Sequence, residues 1–409
     1  MTSHHDARTG RAAGTDGWGG TCPACDTPGM HVFHRQGEVP VNSCLLLPSL
    51  DEARGFPRGR LELGFCGACG FIGTVALDRS LIEYSTRYEE TQGFSSRFRE
   101  FAVELAQRWV DTYDLHGKTV LEIGCGKGEF LVDLIEAGAG WGVGIDPSCI
   151  PERRDGPAAA RITWIQDFYG PRYADIEAEA IVCRHTLEHI PDVGRFMRLV
   201  REVVGDRTEK VILFEVPDVV RVLRETAFWD VYYEHCSYFS PGSLARLFRA
   251  TGFEVLDLRR EYDGQYLIVE ARPSRIPAPG EAFPIEEDPA ALRGVAEHFA
   301  HSYTTKLATW REEIGRVHSC GGRTVIWGAG SKGVAYLTSL GLRDQIEFAV
   351  DINPFKHGMY LAGTGHRIVA PEFLASYRPD LVIAMNAIYR DEIRSDLDKL
   401  GVDADLVAV

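Results

Sequence analysis

The segment Trp229–Ser240 holds the densest group of side chains that could do chemistry in this chain. Two phenols, a carboxylate and an imidazole follow one another there as Tyr232, Tyr233, Glu234 and His235. Because an imidazole titrates near neutrality, we expect His235 to act as a general base that Glu234 orients, while a phenol donates to an oxyanion. The alternative is an aromatic lid whose polar groups are structural.

A shorter group of polar side chains lies within Cys183–Pro191, directly after a predicted strand. His185 and His189 are four residues apart, so on a helical turn they would share one face. That spacing could suit a metal ion, although no third ligand is evident beside the pair. The alternative is a histidine that merely packs at the start of a helix.

The run Val120–Phe130 predicts a short apolar strand, a glycine turn and the start of a helix. Its glycines follow the pattern G-x-G-x-G after a carboxylate, whereas dinucleotide-binding folds use G-x-G-x-x-G. A glycine turn lets the backbone approach a ligand closely, and the helix behind it offers free N–H groups. The alternative is an ordinary strand–turn–helix connection that binds no ligand.

This run resembles the first motif of the class I S-adenosylmethionine (SAM) methyltransferases, in which the glycines make room for the methionine part of the cofactor. The next apolar run ends in Asp146, at the strand tip where the ribose of adenosine would form two hydrogen bonds. Two further polar residues follow the next two predicted strands. The predicted SAM site consists of Glu122, Gly124, Gly126, Gly128, Asp146, Asp167 and His185.

Two C-x-x-C pairs stand out among the ten cysteines. Each pair can place two thiolates on one ion from a tight turn, and two such pairs can complete a tetrahedral Zn²⁺ site. We therefore predict a structural zinc bound by Cys22, Cys25, Cys66 and Cys69. A redox pair and free thiols are the alternatives. A module of this size buries little core, so a metal would supply stability that it lacks.

Apolar strands and helical stretches alternate between residues 118 and 271, which predicts an α/β fold with a parallel sheet. Ligands bind beyond the carboxyl ends of the strands in such sheets, so residues that follow those ends should line one crevice. The predicted strands are Thr119–Ile123, Trp141–Ile145, Ile162–Gln166, Ala180–Arg184, Lys210–Val216 and Tyr266–Ala271. We also predict helices over residues 100–115 and Pro289–His318.

A second glycine turn, Gly328–Gly333, follows a strand near the C-terminus and does have the pattern G-x-G-x-x-G. Asp351 ends the next strand, about where a ribose-binding acid belongs in a dinucleotide site. Too little chain follows for a full dinucleotide domain with its own substrate domain. A half-Rossmann unit that caps the first domain, or that holds a substrate phosphate at its helix N-terminus, is the preferred interpretation.

We therefore divide the chain into four parts. These are a flexible tail (1–20), a zinc-binding module (21–80), a Rossmann-like methyltransferase domain of the class I SAM type (81–271), and a linker helix with a C-terminal half-Rossmann α/β domain (272–409).

The net charge of −15 and the lack of a basic stripe argue against a nucleic-acid partner. No stretch of sequence is long and apolar enough to suggest a membrane span, and the first twenty residues make a poor signal peptide. We expect a cytoplasmic protein that acts on a small molecule, and no obligate protein partner is evident.

The order of these features resembles the nucleotide-sugar C-methyltransferases, which act on 4-keto deoxysugars carried by thymidine diphosphate. The resemblance covers about residues 20–405 and is most specific in Gly328–Gly333, Val350–Gly358 and Tyr360–Thr364. It implies that His235 is the base and that Glu234 and Tyr232 act beside it. It also implies that Tyr88 faces the sugar and that His189 is the histidine after the fourth strand.

One segment departs from that family. The sugar enzymes usually carry a His-Gly-Gly-Ser-like run before the last strand, where this chain has Tyr262–Tyr266. The predicted reaction of secondary metabolism is methylation of a carbon beside a ketone, most readily on such a sugar. The alternatives are a non-sugar acceptor, such as an electron-rich indole, and a non-catalytic zinc-anchored binding protein.

Overall fold

A computed structural model describes residues 18–274 and 280–409. The predicted flexible tail, residues 1–20, lies almost entirely outside the described residues, as does part of the predicted linker. No helix in the described ranges combines the length and apolar character that a membrane span requires.

The N-terminal part forms a small antiparallel sheet of strands that follow one another along the chain. Its elements are β1 (Trp18–Gly19), β2 (Met30–Pro40), α1 (Leu50–Arg54), β3 (Arg58–Phe65) and β4 (Ile72–Thr74). Helix α2 (Ser96–Thr112) follows and begins where the Ser95 side chain accepts a hydrogen bond from Phe98 N. The start of α2 lies four residues before the predicted one because this cap precedes the apolar periodicity.

The central part alternates strands and helices as predicted. Its strands are β5 (Thr119–Ile123), β6 (Trp141–Ile145), β7 (Ile162–Ile165), β8 (Ala180–Arg184), β9 (Val211–Pro217), β10 (Ser237–Tyr238), β11 (Phe253–Glu261) and β12 (Tyr266–Pro273). Its helices are α3 (Glu129–Glu136), α4 (Gly156–Ala159), α5 (Val193–Val204), α6 (Val219–Glu225) and α7 (Pro241–Ala250).

Seven of these strands form one sheet in the order β11-β12-β9-β8-β5-β6-β7. Strands β5 to β9 are parallel, and β12 pairs antiparallel with β9. This arrangement confirms the predicted class I SAM methyltransferase core. The sequence prediction missed β11, which is an edge strand whose half-exposed residues and bulge after Val255 hide the alternation expected of a strand.

Alternate residues of the central strands pack on opposite faces of this sheet. Val120 and Val182 join the apolar cluster under α2 and α3, whereas Leu121 and Cys183 join the cluster under α5 and α7. Because both faces are covered, ligands can reach the sheet only at its edges, and the carboxyl edge is the one that carries the polar residues.

Strand β10 belongs to a different sheet from its neighbours in sequence. Its residues Ser237 and Tyr238 pair with Gly73 and Ile72 of β4, so it becomes the fifth strand of the N-terminal sheet. The segment that carries His235 is therefore attached to the cysteine-bearing module as well as to the central unit.

The C-terminal part is a second Rossmann-like unit. Its elements are α8 (Pro289–Ser319), β13 (Thr324–Trp327), α9 (Ser331–Leu340), β14 (Ile346–Val350), β15 (Arg367–Val369), α10 (Leu374–Tyr377), β16 (Leu381–Ala384), α11 (Arg390–Lys399) and β17 (Asp405–Ala408). The five strands are parallel in the order β15-β14-β13-β16-β17, so the unit is larger than the predicted half unit. Helix α8 matches the predicted helix to within one residue at its end.

Candidate active site

The glycine turn after β5 has a backbone that only glycine adopts readily. Gly124, Gly126 and Gly128 have φ values of 72°, 53° and 78°. A Cβ atom on Gly124 would lie 2.0 Å from Thr186 Oγ1, and one on Gly128 would lie 2.2 Å from the Trp164 ring. The positive φ values and the close packing of Thr186 and Trp164 therefore require glycine at these positions, and the backbone of Gly124 and Gly126 lines the cavity.

Asp146 lies across this turn at the tip of β6. One of its oxygens accepts from Gly126 N at 3.0 Å, and the other accepts from Ser148 N at 2.6 Å. A carboxylate has about four acceptor positions, so each oxygen keeps one for a ligand hydroxyl. The geometry suits the pair of ribose hydroxyls for which the sequence predicted this residue.

Glu122 precedes the turn and is buried, with 2% of its surface exposed. Its Oε2 atom has no hydrogen-bond partner among the residues that the structure describes. Burial raises the pKa of this carboxyl to about 8, although the nearby Arg184 guanidinium opposes the shift. Glu122 therefore offers an unpaired carboxyl oxygen at the floor of the site, and as a neutral carboxyl the group can donate or accept a hydrogen bond.

Asp167 and His185 follow β7 and β8 and line the same cavity. Asp167 accepts hydrogen bonds from Tyr173 at 2.5 Å and from Arg172 at 2.8 Å. His185 has a positive φ of 49°, and its Nε2 lies 2.7 Å from a Glu215 oxygen. Burial lowers the pKa of His185, but the neighbouring carboxylates, Glu215 first, outweigh it and raise the pKa to about 9. His185 is thus a fixed cation beside the glycine turn.

The structure corrects the helical arrangement predicted for the two histidines. His185 lies at the strand end, and His189 lies in a 3₁₀ turn, Leu187–His189, so they do not share one face of an α-helix. Glu215 lies within β9 and Asp218 directly follows that strand; they form ion pairs with Arg184 and Arg260 rather than lining the cavity.

A single cavity of about 1240 Å³ connects these groups to the N-terminal and C-terminal parts. A site for one small molecule typically has about 300–1,000 Å³, so this cavity has room for a cofactor and a second molecule. Its walls include the glycine turn after β5, Tyr84 and Tyr88 from the segment before α2, and Lys332 from α9.

His235 projects into this cavity from the loop before β10. Its ring lies 4.7 Å from the His189 ring and 4.6 Å from the Tyr232 ring, both in edge-to-face contact. Burial, together with the neighbouring His189, holds the pKa of His235 well below its ordinary value. The imidazole is therefore neutral at physiological pH and has a lone pair available to accept a proton.

His189 is held by a residue that the sequence prediction missed. The Tyr84 hydroxyl lies 2.8 Å from His189 Nδ1, and its ring packs edge-on against the same imidazole. Tyr84 lies in the polar, tyrosine-bearing segment before α2, from which only Tyr88 was predicted. The two tyrosines are four residues apart, and that spacing was the available signal.

Two of the predicted roles in this loop are corrected by the contacts. The Glu234 carboxylate accepts from Ser43 N at 3.0 Å, from Ser43 Oγ, from Asn42 at 3.1 Å and from Tyr88 at 2.9 Å. These four bonds occupy both oxygens, so Glu234 orients Tyr88 and the N-terminal segment rather than His235. Tyr233 is 1% exposed and does not line the cavity, and its hydroxyl accepts from Asp78 N and donates to Asp78 O, so it does not reach an oxyanion there.

Tyr232 and Tyr88 do lie on the cavity wall, as predicted. The Tyr232 hydroxyl donates to Asp230 at 2.8 Å. The Asp230 carboxylate also forms ion pairs with the Arg221 guanidinium and, at 2.7 Å, with Lys332 Nζ. Two cations therefore converge on one carboxylate at the cavity wall, and Arg221 also pairs with Glu225 at 2.9 Å.

The second glycine turn faces the first across the cavity. Asp351 accepts from Ala329 N at 2.8 Å and from Asn353 N at 2.9 Å, as Asp146 does in the first unit. Here, however, Lys356 Nζ also lies 3.1 Å from the carboxylate. The acid of the second unit is already neutralised by the protein.

The Tyr262–Tyr266 strip joins the central sheet to the C-terminal unit. Gln265 and Asn386 exchange two amide hydrogen bonds of 3.1 and 3.0 Å, and the Tyr262 hydroxyl donates to Tyr389 at 2.8 Å. The segment whose sequence departs from that of the sugar enzymes thus connects the two units at the cavity wall.

The four predicted zinc ligands meet in space. The Sγ atoms of Cys22 and Cys69 are 3.7 Å apart, as are those of Cys25 and Cys66, and all four lie within 4.8 Å of one another. A tetrahedron of sulfurs at about 2.3 Å from a zinc ion has edges of about 3.8 Å, so the thiols have the geometry of such a site.

Two family models match this chain. One is described as a methyltransferase domain and matches residues 95–258, and the other is described as a C-methyltransferase C-terminal domain and matches residues 286–404. Together they cover both units that face the cavity.

Curated relatives and solved structures are similar to parts of this chain. C-methyltransferase NovU of Streptomyces niveus is 29% identical over 295 residues, 68% of either chain. A ribosomal protein L11 methyltransferase of Edwardsiella ictaluri is 34% identical over 82 residues, 19% of this chain and 28% of that protein. Among solved structures, magnesium protoporphyrin IX methyltransferase from Synechocystis has 16% identity and a TM-score of 0.34, over 46% of this chain and 88% of its own.

The glycine turn, the acid-tipped second strand and the strand order identify the cofactor as SAM. The C-terminal family match, and the relative that aligns with about two thirds of the chain, indicate that the methyl group is transferred to a carbon atom. The chain is a SAM-dependent C-methyltransferase.

Proposed function

We propose that the enzyme methylates a carbon beside the ketone of a 4-keto deoxysugar carried by a nucleoside diphosphate. The observation that supports this most directly is His235, a neutral imidazole facing the cavity that also contains the cofactor turn. When bound, SAM supplies an electrophilic methyl group, so the protein's own task is to make a carbon nucleophile. We place the reaction in secondary metabolism and in the cytoplasm.

In this proposal His235 removes the proton from the carbon next to the ketone. The negative charge then moves to the ketone oxygen, which needs a hydrogen-bond donor. The Tyr232 hydroxyl is engaged by Asp230. His189 is the better donor, because a Tyr84 hydroxyl that donates to its Nδ1 fixes the proton on Nε2, toward the cavity.

The diphosphate is proposed to bind near Arg221 and Lys332. Both side chains line the cavity and contact Asp230, and Arg221 also pairs with Glu225 outside the cavity lining. Lysine and arginine side chains that face a cavity bind a phosphate group through charge-assisted hydrogen bonds. Helix α9 begins beside them at Ser331, so its N-terminal N–H groups add to the attraction.

We further propose that Cys22, Cys25, Cys66 and Cys69 hold a structural zinc ion. Four thiolates leave no open position for chemistry, so the ion would act through the fold. Strand β10 pairs with β4, which begins two residues after Gly70 of the second cysteine turn. The zinc would thereby stabilise the sheet that fixes the position of His235.

Incubation with SAM and a thymidine-diphosphate 4-keto deoxysugar in D₂O tests the proposal by mass spectrometry. Gain of one methyl group, or deuterium incorporation beside the ketone without SAM, is expected for the wild type. His235→Asn should abolish both while SAM affinity stays within about twofold, because a general base contributes about 10²–10⁴-fold to the rate. The exposed His116→Asn serves as the matched control and should retain both activities.

A different acceptor is favoured by one observation. The segment that departs from the sugar enzymes places Tyr262 and Tyr266 in a parallel stack with ring centroids 5.0 Å apart, and Tyr266 lines the cavity. An aromatic wall suits an electron-rich aromatic acceptor such as an indole. Wild-type protein that binds SAM but shows neither methylation nor exchange with the sugar would leave this second candidate.

A further inference from the structure

Three side chains with metal-binding atoms converge beneath the catalytic loop, away from the four cysteines. A carboxylate oxygen of Glu188, a ring nitrogen of His189 and a ring nitrogen of His235 all lie within 4.8 Å of one another. All three residues line the cavity, so an ion bound there would keep open positions toward it. Two imidazoles and one carboxylate are a common ligand set for divalent transition metals.

Glu188 lacks the partners that a buried carboxylate normally has. The residue is 2% exposed, and its Oε2 has no hydrogen-bond partner in the part of the chain that the structure describes. Its other oxygen lies 3.6 Å from His185 Nδ1, too far for a good hydrogen bond. A buried carboxylate oxygen without a partner is costly, and a cation held between Glu188 and the two imidazoles would satisfy it.

His189 is already oriented as metal-bound histidines usually are. Its Nδ1 lies 2.8 Å from the Tyr84 hydroxyl. In the metal-bound form the proton is on Nδ1 and is donated to the Tyr84 oxygen, so Nε2 binds the ion; this is the opposite tautomer to the one that donates to an oxyanion. Metal-bound histidines almost always hydrogen-bond through the second ring nitrogen, because that contact fixes the tautomer and the ring orientation. The edge-to-face contact between the His189 and His235 rings, 4.7 Å between centroids, brings the second imidazole to the same point.

We propose that Glu188, His189 and His235 form a second metal site, which binds a divalent transition metal such as Zn²⁺. Donors at about 2.0–2.2 Å from one ion lie about 3–4 Å apart, so small side-chain movements complete the coordination. A metal at this site occupies the lone pair with which His235 would accept a proton. This consequence rests on the proposed role of His235 as the base: when the metal site is filled, His235 cannot remove a proton from the substrate.

Metal titration of the full chain tests the site directly. Protein washed with a mild chelator is titrated with Zn²⁺ by calorimetry and with Co²⁺ by visible absorption, and its metal content is measured after each step. We expect one exchangeable equivalent whose cobalt spectrum lacks the thiolate charge-transfer band of a cysteine site. Glu188→Gln should weaken this equivalent at least about tenfold. Glu392→Gln, a change in another cavity-lining carboxylate, should not.

X-ray absorption on the metal-loaded wild type keeps the test independent of the variants. A first shell of nitrogen and oxygen donors for the exchangeable ion supports the site. Absence of an exchangeable equivalent, or equal affinity in wild type and Glu188→Gln, would overturn it.

Deuterium exchange into the sugar, followed as the exchangeable equivalent fills, tests the consequence separately. Exchange that falls in proportion to occupancy supports inhibition. Exchange that rises overturns the inhibition and the base role of His235. A sugar that never exchanges, with or without metal, overturns the proposed acceptor, and the binding data are unaffected by it.

Discussion

The turn after β5 and the turn after β13 have the same backbone hydrogen bonds but opposite surroundings. In each, an acid at the tip of the next strand accepts one N–H from the glycine turn and one from the residue two positions further on. Asp146 is partly exposed to the cavity, whereas Asp351 is 7% exposed and paired with Lys356. Asp146 can therefore still bind a ligand, whereas the hydrogen-bonding capacity and charge of Asp351 are satisfied by protein groups.

The residue two positions before each turn also differs between the units, and again only the first unit has a group that can bind a ligand. The first unit has the buried carboxylate Glu122 there, and the second has the fully buried Ile326. The second unit instead carries Lys332, the fifth residue of its turn, on the cavity wall. One Rossmann-like frame thus presents acceptors to a cofactor and the other presents a cation. The G-x-G-x-x-G pattern of the second unit does not by itself make a dinucleotide site.

The glycine turns provide the largest expected difference between the units. Gly124→Ala places a Cβ at a φ of 72° and 2.0 Å from Thr186 Oγ1, while the nearest atom to a Cβ on Gly330 is Lys356 Nζ at 3.8 Å. Since the strained backbone alone costs about 1–2 kcal/mol and the clash adds to it, we expect Gly124→Ala to lose at least about 100-fold in SAM affinity. Calorimetric titration with SAM measures it.

Gly330→Ala is the matched control, with SAM affinity within about threefold of wild type because φ there is negative and the space is open. Equal losses in the two variants would show that both turns contact the cofactor, and the division of roles between the units would be wrong.

The two acids should separate binding from stability. Asp146→Asn removes a charged acceptor from the ligand side and is expected to weaken SAM binding about 10–100-fold, the effect of a lost hydrogen bond to a charged group. Asp351→Asn leaves Lys356 buried without its nearest carboxylate, which costs on the order of 3 kcal/mol of folding stability. SAM titration and thermal unfolding of both variants measure these effects. A cofactor defect in Asp351→Asn at unchanged stability would contradict the comparison.

The sequence predicted the groups whose roles follow from position along one strand. Glycines and Asp146 were found because a turn and a strand tip determine where the backbone and the carboxylate point. The four cysteines were found because paired thiols have few other uses at that spacing. Strand β11 was missed because an edge strand is covered on one side only, and its charged residues obscure the period-2 pattern.

Contacts between distant segments could not be predicted in this way. Tyr84 meets His189 across 105 residues, and Glu234 meets Ser43 across 191. The sequence placed Glu234 beside His235, but neighbours along an extended loop point their side chains to opposite sides. The side chain that each residue contacts therefore depends on which part of the fold packs against its side of the loop. For Glu234 that part is the N-terminal segment that contains Ser43.

Removing the charge of Lys332 should weaken binding of the methyl acceptor and leave binding of SAM unchanged. Lys332→Met is expected to raise the KM for a nucleotide-diphosphate sugar about 10–30-fold, the loss of one charge-assisted contact, with SAM affinity unchanged. Arg221 remains to neutralise Asp230, so the fold should be preserved. Steady-state kinetics with each substrate varied in turn separates the effects. Lys399→Met, which removes an exposed lysine at the cavity edge, is the control and should leave both constants alone.

The smallest expected effect concerns the buried carboxylate that distinguishes the first unit. The pKa of Glu122 is raised to about 8 in the folded protein from its ordinary value of 4.5. A group with a raised pKa contributes stability that is fully present below the unfolded value and is lost as the pH rises through the folded value. The SAM-free wild type should therefore lose stability between about pH 5 and pH 8, by about 1–3 kcal/mol from this residue.

Glu122→Gln cannot ionise and should escape that loss. Any cost of burying the amide is the same at both pH values, so the informative quantity is the change in the Tm difference between variant and wild type from pH 5 to pH 8. That difference should move in favour of the variant by several degrees, since about 1 kcal/mol shifts Tm by about 2–4 °C in a unit of this size. Ile326→Val, at the matching position of the second unit, should show no such pH dependence because no ionisable group is replaced. A Tm difference for Glu122→Gln that is constant with pH would mean that the carboxyl is ionised in the free protein, and the floor of the cofactor site would then carry a charge before SAM arrives.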